Sequence, residues 1–315
     1  LDLSIVVPIY NEEKNVRALH ESVVAGLSGS GLDYELILVD DGSTDGSYPL
    51  LREIAGIDKR VKVIRFRRNF GQTAAMAAGF DAATGKVIVP MDGDLQNDPS
   101  DIPALMEKIH EGFDVVSGWR RERRDAFINR RLPSMLANTL ISRMTSVRLH
   151  DYGCTLKAYR REVLEGVNLY GEMHRFVPAL ASQVGAKVAE IPVKHHERLH
   201  GRSKYGISRT MRVILDLITV KFLLGYSTKP IQLFGKWGVY TLFVATLSGA
   251  ATLYMKIFEG MSMNRNPLLI LTAFLLFTGV QFIVLGLLGE LNARTYYEAQ
   301  GKPIYVVKEK LNFDE

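Results

Sequence analysis

Two aspartates separated by one glycine, Asp92-Gly93-Asp94, follow an apolar run that ends at Met91, and an amide stands two residues on at Gln96. Oxygen donors at this spacing suit Mg²⁺ or Mn²⁺, hard cations that keep several waters and bridge to substrate phosphates. A cation there would neutralise a diphosphate and stabilise the charge that develops as it leaves. Taken alone, an Asp-x-Asp after a strand is more often an acidic turn than a metal site. The companions of the motif reverse that balance. Pro8-Ile9-Tyr10-Asn11-Glu12, Asp40-Asp41-Gly42-Ser43-Thr44-Asp45 and Arg68-Asn69-Phe70-Gly71-Gln72 each close an earlier β-rich run. Four polar motifs therefore stand at four successive strand ends, where they would converge on one crevice.

Two basic clusters carry the opposite charge. The first is Arg120-Arg121-Glu122-Arg123-Arg124, followed by Arg130-Arg131; the second runs from Arg198 through Gly201, Arg202, Ser203 and Lys204 to Tyr205. Guanidinium groups bind phosphate in a bidentate fork, and Ser203 adds a hydroxyl. Arg121, Arg123 and Arg124 read equally well as a solvated face. No stacking platform or base-reading motif accompanies the charge, which argues against a nucleic-acid partner. His195, His196 and His200 do not make a convincing metal site, since no fourth ligand is evident and the carboxylates already account for a cation.

The elements that position these residues alternate. Strands are expected at Leu3–Val7, Glu35–Asp40, Val61–Phe66, Lys86–Met91 and Phe113–Ser117. Helices are expected between them: one with Val16, Leu19, Val23, Val24 and Leu27 on one face and Asn11 as N-cap, then Ser47–Ala55, Gln72–Ala83 and Pro99–His110. This alternation predicts an α/β domain with a mainly parallel central sheet, whose ligands sit beyond the carboxyl ends of the strands. Farther on, a helix is expected near Asn129–Thr145, with strands near Thr155–Tyr159 and Ala186–Val193. No G-x-G-x-x-G follows the first strand, which disfavours a dinucleotide-binding fold.

The net charge of +5 is modest, so its clustering matters more than its total, and the single cysteine, Cys154, excludes an internal disulfide. Cys154 reads as a small buried hydrophobe, in keeping with a reducing compartment. The last third of the chain is far more apolar than the rest. Residues 205–226 form an amphipathic pattern with a basic polar face, expected to lie at a membrane interface. Trp237–Met255 and Leu268–Leu288 carry no charge, and each matches the hydrocarbon core of a bilayer as a helix. They predict a transmembrane hairpin, about 237–257 and 268–289. No export signal is visible ahead of the first apolar run, so the catalytic domain and both termini are expected on the cytoplasmic face of an inner or plasma membrane. The domain plan is then 1–204 catalytic, 205–230 juxtamembrane, 231–291 membrane, and 292–315 a tail whose Pro303–Lys308 segment reads as a strand able to pair with another chain.

Together the strand-end motifs resemble the GT-A glycosyltransferases of family 2 over essentially all of residues 1–204. The resemblance implies that Pro8, Tyr10 and Glu12 line a nucleotide pocket, along with Asn69 and Gln72. Asp40 and Asp41 would face the base and ribose, with Asp41 favoured for the uracil edge. Asp92 would contact the ribose and a metal-bound water, while Asp94 and Gln96 ligate the metal. Arg198-x-x-Gly201-x-Ser203-Lys204-Tyr205 is similar to a motif of the polyprenyl-phosphate glycosyltransferases, the group that includes dolichyl-phosphate mannose synthase. Two spans after a domain of this size look most like the bacterial undecaprenyl-phosphate enzymes of the GtrB and ArnC type, which commonly form homo-oligomers.

That resemblance implies an inverting transfer of a hexose, with glucose from UDP-glucose as the first expectation, to undecaprenyl phosphate. GDP-mannose or a UDP-aminoarabinose derivative are the alternative donors. A lipid phosphate is already anionic and needs no strong base to attack, so the protein mainly aligns the reactants and screens their repulsion. Arg120, Arg131, Arg202 and Lys204 are the candidates for screening, with Arg198, Ser134 and Ser203 as further phosphate contacts. Asp151 would orient the acceptor, act as a weak base, or simply form a turn. A processive polysaccharide synthase is disfavoured, because the string nearest to its Q-x-x-R-W motif, Gln232 to Trp237, has the wrong spacing. A non-catalytic nucleotide-sugar sensor is the reading from another class, and donor binding without product would mark it.

Overall fold

The computed structural model describes residues 1–121, 142, 147–165, 176–183, 185–197, 230–263, 266–299 and 305–313. Its contacts divide the chain into two units, Leu1–Val220 with Pro303–Glu315, and Lys221–Lys302. The helix expected near 129–145, Ser142 apart, and the amphipathic segment 205–226 lie outside the described residues. So do Arg131, Ser134, Arg198, Arg202, Ser203 and Lys204.

In the first unit the alternation holds: β1 (Leu3–Ile9), α1 (Val16–Leu27), β2 (Tyr34–Asp40), α2 (Ser47–Ile57), β3 (Val61–Phe66), α3 (Gln72–Ala82) and β4 (Val87–Pro90). A 3₁₀ turn at Pro99–Asp101 leads into α4 (Ile102–His110), then β5 (Val115–Trp119), β6 (Lys157–Arg160), α5 (Arg161–Leu164), α6 (Val177–Gln183) and β7 (Val188–Pro192). The final strand, β8 (Val307–Leu311), follows the second unit in the chain. All eight strands form one sheet in the order β7-β5-β6-β4-β1-β2-β3-β8.

Strand β1 is apolar on both faces but for Ser4, because it is covered on both. Leu3, Ile5, Val7 and Ile9 share a core with Val16, Leu19 and Val23 of α1, Leu51 and Ile54 of α2, and Ile102, Leu105 and Ile109 of α4. The Ala-rich α3 packs over β1 and β2, where its small buried side chains Ala74, Ala75 and Ala78 permit close approach. Burying each large aliphatic side chain of this kind contributes roughly 1.5–3 kcal/mol, which outweighs the weak intrinsic preference of any one helix.

Far from the motif edge, Glu35 holds this core together. Its buried carboxylate accepts hydrogen bonds from the Ser4 hydroxyl at 2.5 Å and from the Thr84 amide and hydroxyl at 2.7 and 2.8 Å. Lys62 Nζ lies 2.7 Å away. Burial by itself would raise the Glu35 pKa, but the bonds from Lys62, Ser4 and Thr84 outweigh it and hold the group below its ordinary value of 4.5. The ionised form therefore stabilises the fold fully above about pH 4.5, and that stabilisation is lost as pH falls through the lowered pKa. The melting-temperature gap between wild type and Glu35→Gln is expected to be widest near neutral pH and to shrink below about pH 4.5. A gap that does not change with pH would exclude this account.

The second unit is a helical hairpin, α7 (Pro230–Phe258) and α8 (Pro267–Ala299). Phe234–Phe258 and Pro267–Gly289 are long and apolar enough to cross a membrane, in line with the expected spans. Their large side chains face outward, with Phe243 60% and Phe277 72% exposed. Leaving such area in water costs about 25 cal/mol per Å², a cost that lipid removes. The helices meet through small and hydroxyl residues, as helices in lipid do. A Cβ on Gly279 would stand 2.7 Å from Leu242 Cγ, and the Thr272 hydroxyl donates to Ser248 Oγ at 2.9 Å.

Three expectations need correction. The N-cap of α1 is Asn15, not Asn11. Asn11 instead takes a left-handed turn at φ 55°, which its short polar side chain tolerates, and accepts the Thr44 amide at 2.8 Å. The C-terminal strand starts later than Pro303 and pairs with β3 of its own chain, antiparallel. Val307, Glu309 and Leu311 alternate with exposed Lys308 and Lys310, so one face turns inward and covers an otherwise open edge. Finally, Thr155 precedes β6 rather than starting it, which frees its side chain for the site described next.

Candidate active site

Strands β1 to β4 are mutually parallel, so the four polar motifs share one edge of the sheet. After β3 the chain crosses to the far side of β1, which makes the β1/β4 boundary a topological switch point. A crevice opens at such points, where neighbouring loops turn opposite ways. Asp92-Gly93-Asp94 and Pro8-Ile9-Tyr10 flank this one.

The loops are tied to one another rather than loosely apposed. After β1, the Asn11 and Glu12 amides donate to the hydroxyls of Ser43 and Ser47 at 3.0 and 2.9 Å, and the Glu13 amide donates to Asp45 Oδ2 at 3.2 Å. Asp40 is fully buried, accepts the Ser43 amide at 3.0 Å, and has Arg65 Nε 3.5 Å from its other oxygen. Asp41 binds the next loop: the amides of Phe70 and Gly71 donate to its two oxygens at 2.6 and 2.9 Å. Burial raises the Asp41 pKa, those two amides counter it, and the Asp40 charge adds to the rise. Gly42 sits between these loops at φ 70°, and a Cβ there would lie 2.5 Å from the Arg68 carbonyl carbon. Both conditions call for glycine. Tyr10, Pro8 and Glu12 are partly exposed on the same edge, and Asn69 is exposed.

Asp92 is gripped from both sides. Gln72 Nε2 donates to Oδ1 at 3.0 Å and the Thr155 hydroxyl to Oδ2 at 2.7 Å, while its own amide donates to Asn97 Oδ1 at 3.0 Å. Burial, then the Asp94 charge, push the Asp92 carboxyl above the usual range; Thr155, Arg120 and Lys157 pull the other way. Gly93 fits between the two aspartates because a Cβ would lie 2.8 Å from Ile9 Cδ1. Asp94 is only 7% exposed and accepts the Gln96 amide at 3.2 Å, across Leu95 in the left-handed region at φ 62°. Gln96 reaches the strand-end segment after β7, where its Nε2 lies 3.5 Å from His195 Nε2 and its carbonyl accepts the His196 amide at 2.9 Å.

Two crowded carboxylates and an adjacent amide, Asp92, Asp94 and Gln96, are a donor set that suits a divalent cation. Among the described residues no three His, Cys, Asp or Glu side chains converge on one metal position. The set fits an ion that takes one or two carboxylates from the protein and further oxygens from its substrate.

Arg120, at the end of β5, is paired with Asp151. Its Nε and Nη2 donate to the two carboxylate oxygens at 2.6 and 2.9 Å, with the guanidinium 11% and the carboxylate 5% exposed. The Gly153 amide adds a bond to Asp151 at 3.1 Å. Beneath them the buried Lys157 ammonium donates to the carbonyls of Tyr152 and Cys154. Burial lowers the Lys157 pKa and pushes the Cys154 thiol up to about 11, so the cysteine stays protonated and inert. Trp119 stacks on His150 at 4.4 Å.

A sequence profile described as glycosyl transferase family 2 matches residues 4–167. A dodecaprenyl-phosphate galacturonate synthase of Rhizobium johnstonii is 46% identical, over 98% of this chain and 93% of its own length. The chain belongs to glycosyl transferase family 2. It is a glycosyltransferase with the GT-A fold that the motifs implied. Undecaprenyl-phosphate 4-deoxy-4-formamido-L-arabinose transferases of Pseudomonas fluorescens and Edwardsiella ictaluri are 39% and 36% identical, over 98% and 97% of this chain and 90% and 93% of theirs. Crystalline glucosyl-3-phosphoglycerate synthase of Mycobacterium tuberculosis, in complex with Mn²⁺, UDP and phosphoglyceric acid, shares the fold with TM-score 0.55. It is 20% identical, covering 71% of this chain and 78% of that one.

Within this glycosyltransferase, Asp40, Asp41, Gln72, Asp92, Asp94 and Gln96 thus stand along one edge, as their strand-end positions suggested. Thr155, Asn97 and His195 were not among the expected site residues. Thr155 and His195 meet the Asp92–Gln96 loop from 63 and 99 residues away in the chain, and no local pattern signals a contact of that range.

Proposed function

We propose that this glycosyltransferase moves one sugar from a uridine diphosphate donor to the phosphate of a polyprenyl lipid at the membrane surface. The observation that carries this reading is the carboxylate pair at the β1/β4 switch point, in a chain that also bears two long apolar helices. The names of its relatives support the acceptor, and they move the donor away from glucose. Galacturonate stands in the name of the 46% relative and 4-deoxy-4-formamido-L-arabinose in those at 36–39%. We take a UDP-hexuronate, UDP-galacturonate first, as the preferred donor.

Pro8, Tyr10, Glu12, Asp40, Asp41, Asn69 and Gln72 line the nucleotide end. Asp94 and Gln96 would hold a divalent cation directly, and Asp92, whose oxygens are already engaged, would reach it through water. Mn²⁺ in the mycobacterial neighbour supports such a cofactor, and Mg²⁺ suits the same oxygen set. When bound, the cation neutralises the diphosphate as it departs. The acceptor phosphate oxygen forms the new bond to the anomeric carbon while the bond to the diphosphate oxygen breaks, with inversion. Arg120, Arg131, Arg202 and Lys204 screen the two phosphates, with Ser134, Arg198 and Ser203 as further contacts. The bidentate grip of Asp151 on Arg120 supports an orienting role rather than that of a base.

Strand β8 pairs with β3, so segments before and after the apolar hairpin belong to one folded unit, which supports placing both ends on one side of the membrane; we take that side to be the cytoplasmic one. A homo-oligomer remains part of the proposal.

Membranes bearing the protein should be incubated with undecaprenyl or dodecaprenyl phosphate and labelled UDP-galacturonate, UDP-glucose, UDP-4-deoxy-4-formamido-L-arabinose and GDP-mannose. Labelled lipid is expected from UDP-galacturonate above the others. Transfer from GDP-mannose alone would sink the donor assignment, and donor binding without lipid product in any arm would sink the reaction.

A further inference from the structure

Strand β8 closes the sheet edge, and three charged residues stand in register across it and its neighbours. Asp40 of β2 is the partner of Arg65 of β3, and Arg65 is the partner of Glu309 of β8. The row reads negative, positive, negative. Tyr48 of α2 lies over it. The Arg65 guanidinium carbon stands 3.8 Å from the centroid of the Tyr48 ring, and the Tyr48 hydroxyl donates to Glu309 Oε2 at 2.7 Å. Arg65 Nε lies 3.5 Å from Asp40 Oδ2, so it answers a carboxylate with no exposed surface by charge rather than by a short hydrogen bond. A contact of that kind holds only while the guanidinium is kept in place; the Tyr48 ring lies against it, and Glu309 in turn accepts the Tyr48 hydroxyl. The register of β3 and β8 shifts between Arg65 and Phe66, immediately beside the row.

The same short segment is anchored on either side. Tyr305 stacks on Phe66 at 5.2 Å and donates to Asp81 of α3 at 2.8 Å, and Asn312 Nδ2 donates to the carbonyls of Ala55 and Val61 at 2.7 and 2.8 Å. The segment that follows the apolar hairpin therefore grips β3, α2 and α3, the elements that carry the nucleotide-side loops.

We infer that β8 is a positioning element for the nucleotide site: Glu309, acting through Tyr48 and Arg65, holds the buried Asp40 carboxylate in its working orientation. This rests on the reading of Asp40 as part of the nucleotide end. Glu309 and Tyr48 touch no substrate; they are positioning residues, and their loss should weaken donor binding without slowing the bound complex.

The test uses the full-length protein in detergent, with UDP as the probe in calorimetry and with donor kinetics beside it. Glu309→Ala and Tyr48→Phe are each expected to raise the UDP dissociation constant and the donor KM about three- to fivefold, leaving kcat within about twofold. The double variant should be no worse than either single one, since both cut the same connection. Lys308→Gln, on the exposed face of β8, is the control expected to match wild type. Melting curves ensure that each variant is folded at the assay temperature. If Asp40→Asn loses UDP affinity while Glu309→Ala and Tyr48→Phe bind as wild type, the inference is overturned and the donor-site reading stands. If Asp40→Asn itself binds UDP as wild type, Asp40 is not in the nucleotide site and both fall.

Discussion

Asp94→Ala is expected to reduce sugar transfer about 10³-fold, the loss that follows when several kcal/mol of charge stabilisation at a departing diphosphate are removed. The side chain is only 7% exposed and accepts the Gln96 amide at 3.2 Å. A melting curve read beside the rate separates loss of transfer in a folded protein from loss of the fold. Wild type treated with EDTA should fall to the same residual rate, and adding EDTA to Asp94→Ala should change little further. Rates are read as labelled polyprenyl product with the preferred donor. Full transfer by Asp94→Ala, or by wild type stripped of divalent cations, would remove Asp94 from the reaction and the cation with it.

Asp151→Ala is expected to be the costliest single change to stability in the site, at roughly 3–5 kcal/mol. Arg120 is 11% exposed and gives both Nε and Nη2 to Asp151. Cutting away the carboxylate strands a guanidinium that has already lost its water, and neither Gly153 nor Lys157 can replace the missing charge. Activity should fall with stability, because the acceptor side loses the group that orients Arg120. Replacing both partners by apolar residues, Arg120→Met with Asp151→Leu, should restore much of the melting temperature and none of the transfer. That split separates an orienting pair from a base: a base would lose rate in Asp151→Asn while the melting curve stayed put. Asp151→Ala melting within about 0.5 kcal/mol of wild type would show that the pair contributes nothing to the fold.

Both predictions draw on features that were only half visible in the linear chain. Asp92, Asp94 and Gln96 were legible because they follow an apolar run of β type, and a motif at a strand end of an alternating α/β pattern has one place to go. Arg120 was legible as charge. Its commitment to Asp151 was not, since thirty-one residues separate them and the middle of the chain lacks the clean periodicity of the first 118 residues. Asn11 is the opposite case: its residue type caps helices, but the left-handed turn that locks two loops together has the stronger claim on it. The last strand was visible as a strand, but its partner was not, because alternation says which face is buried and nothing about what buries it.

The sequence by itself determined the α/β character, the mainly parallel sheet, the apolar hairpin and the chemical type of the site. These follow from local periodicity and from residue types at element ends, which act over a few residues. Only the tertiary structure decided that Thr155 and Gln72 hold Asp92, that Arg120 is locked by Asp151, and that the end of the chain returns to β3 to brace the Asp40 row. Those contacts join residues tens to hundreds of positions apart. Which distant groups meet is settled by sheet order and by the burial of charge that must find a partner.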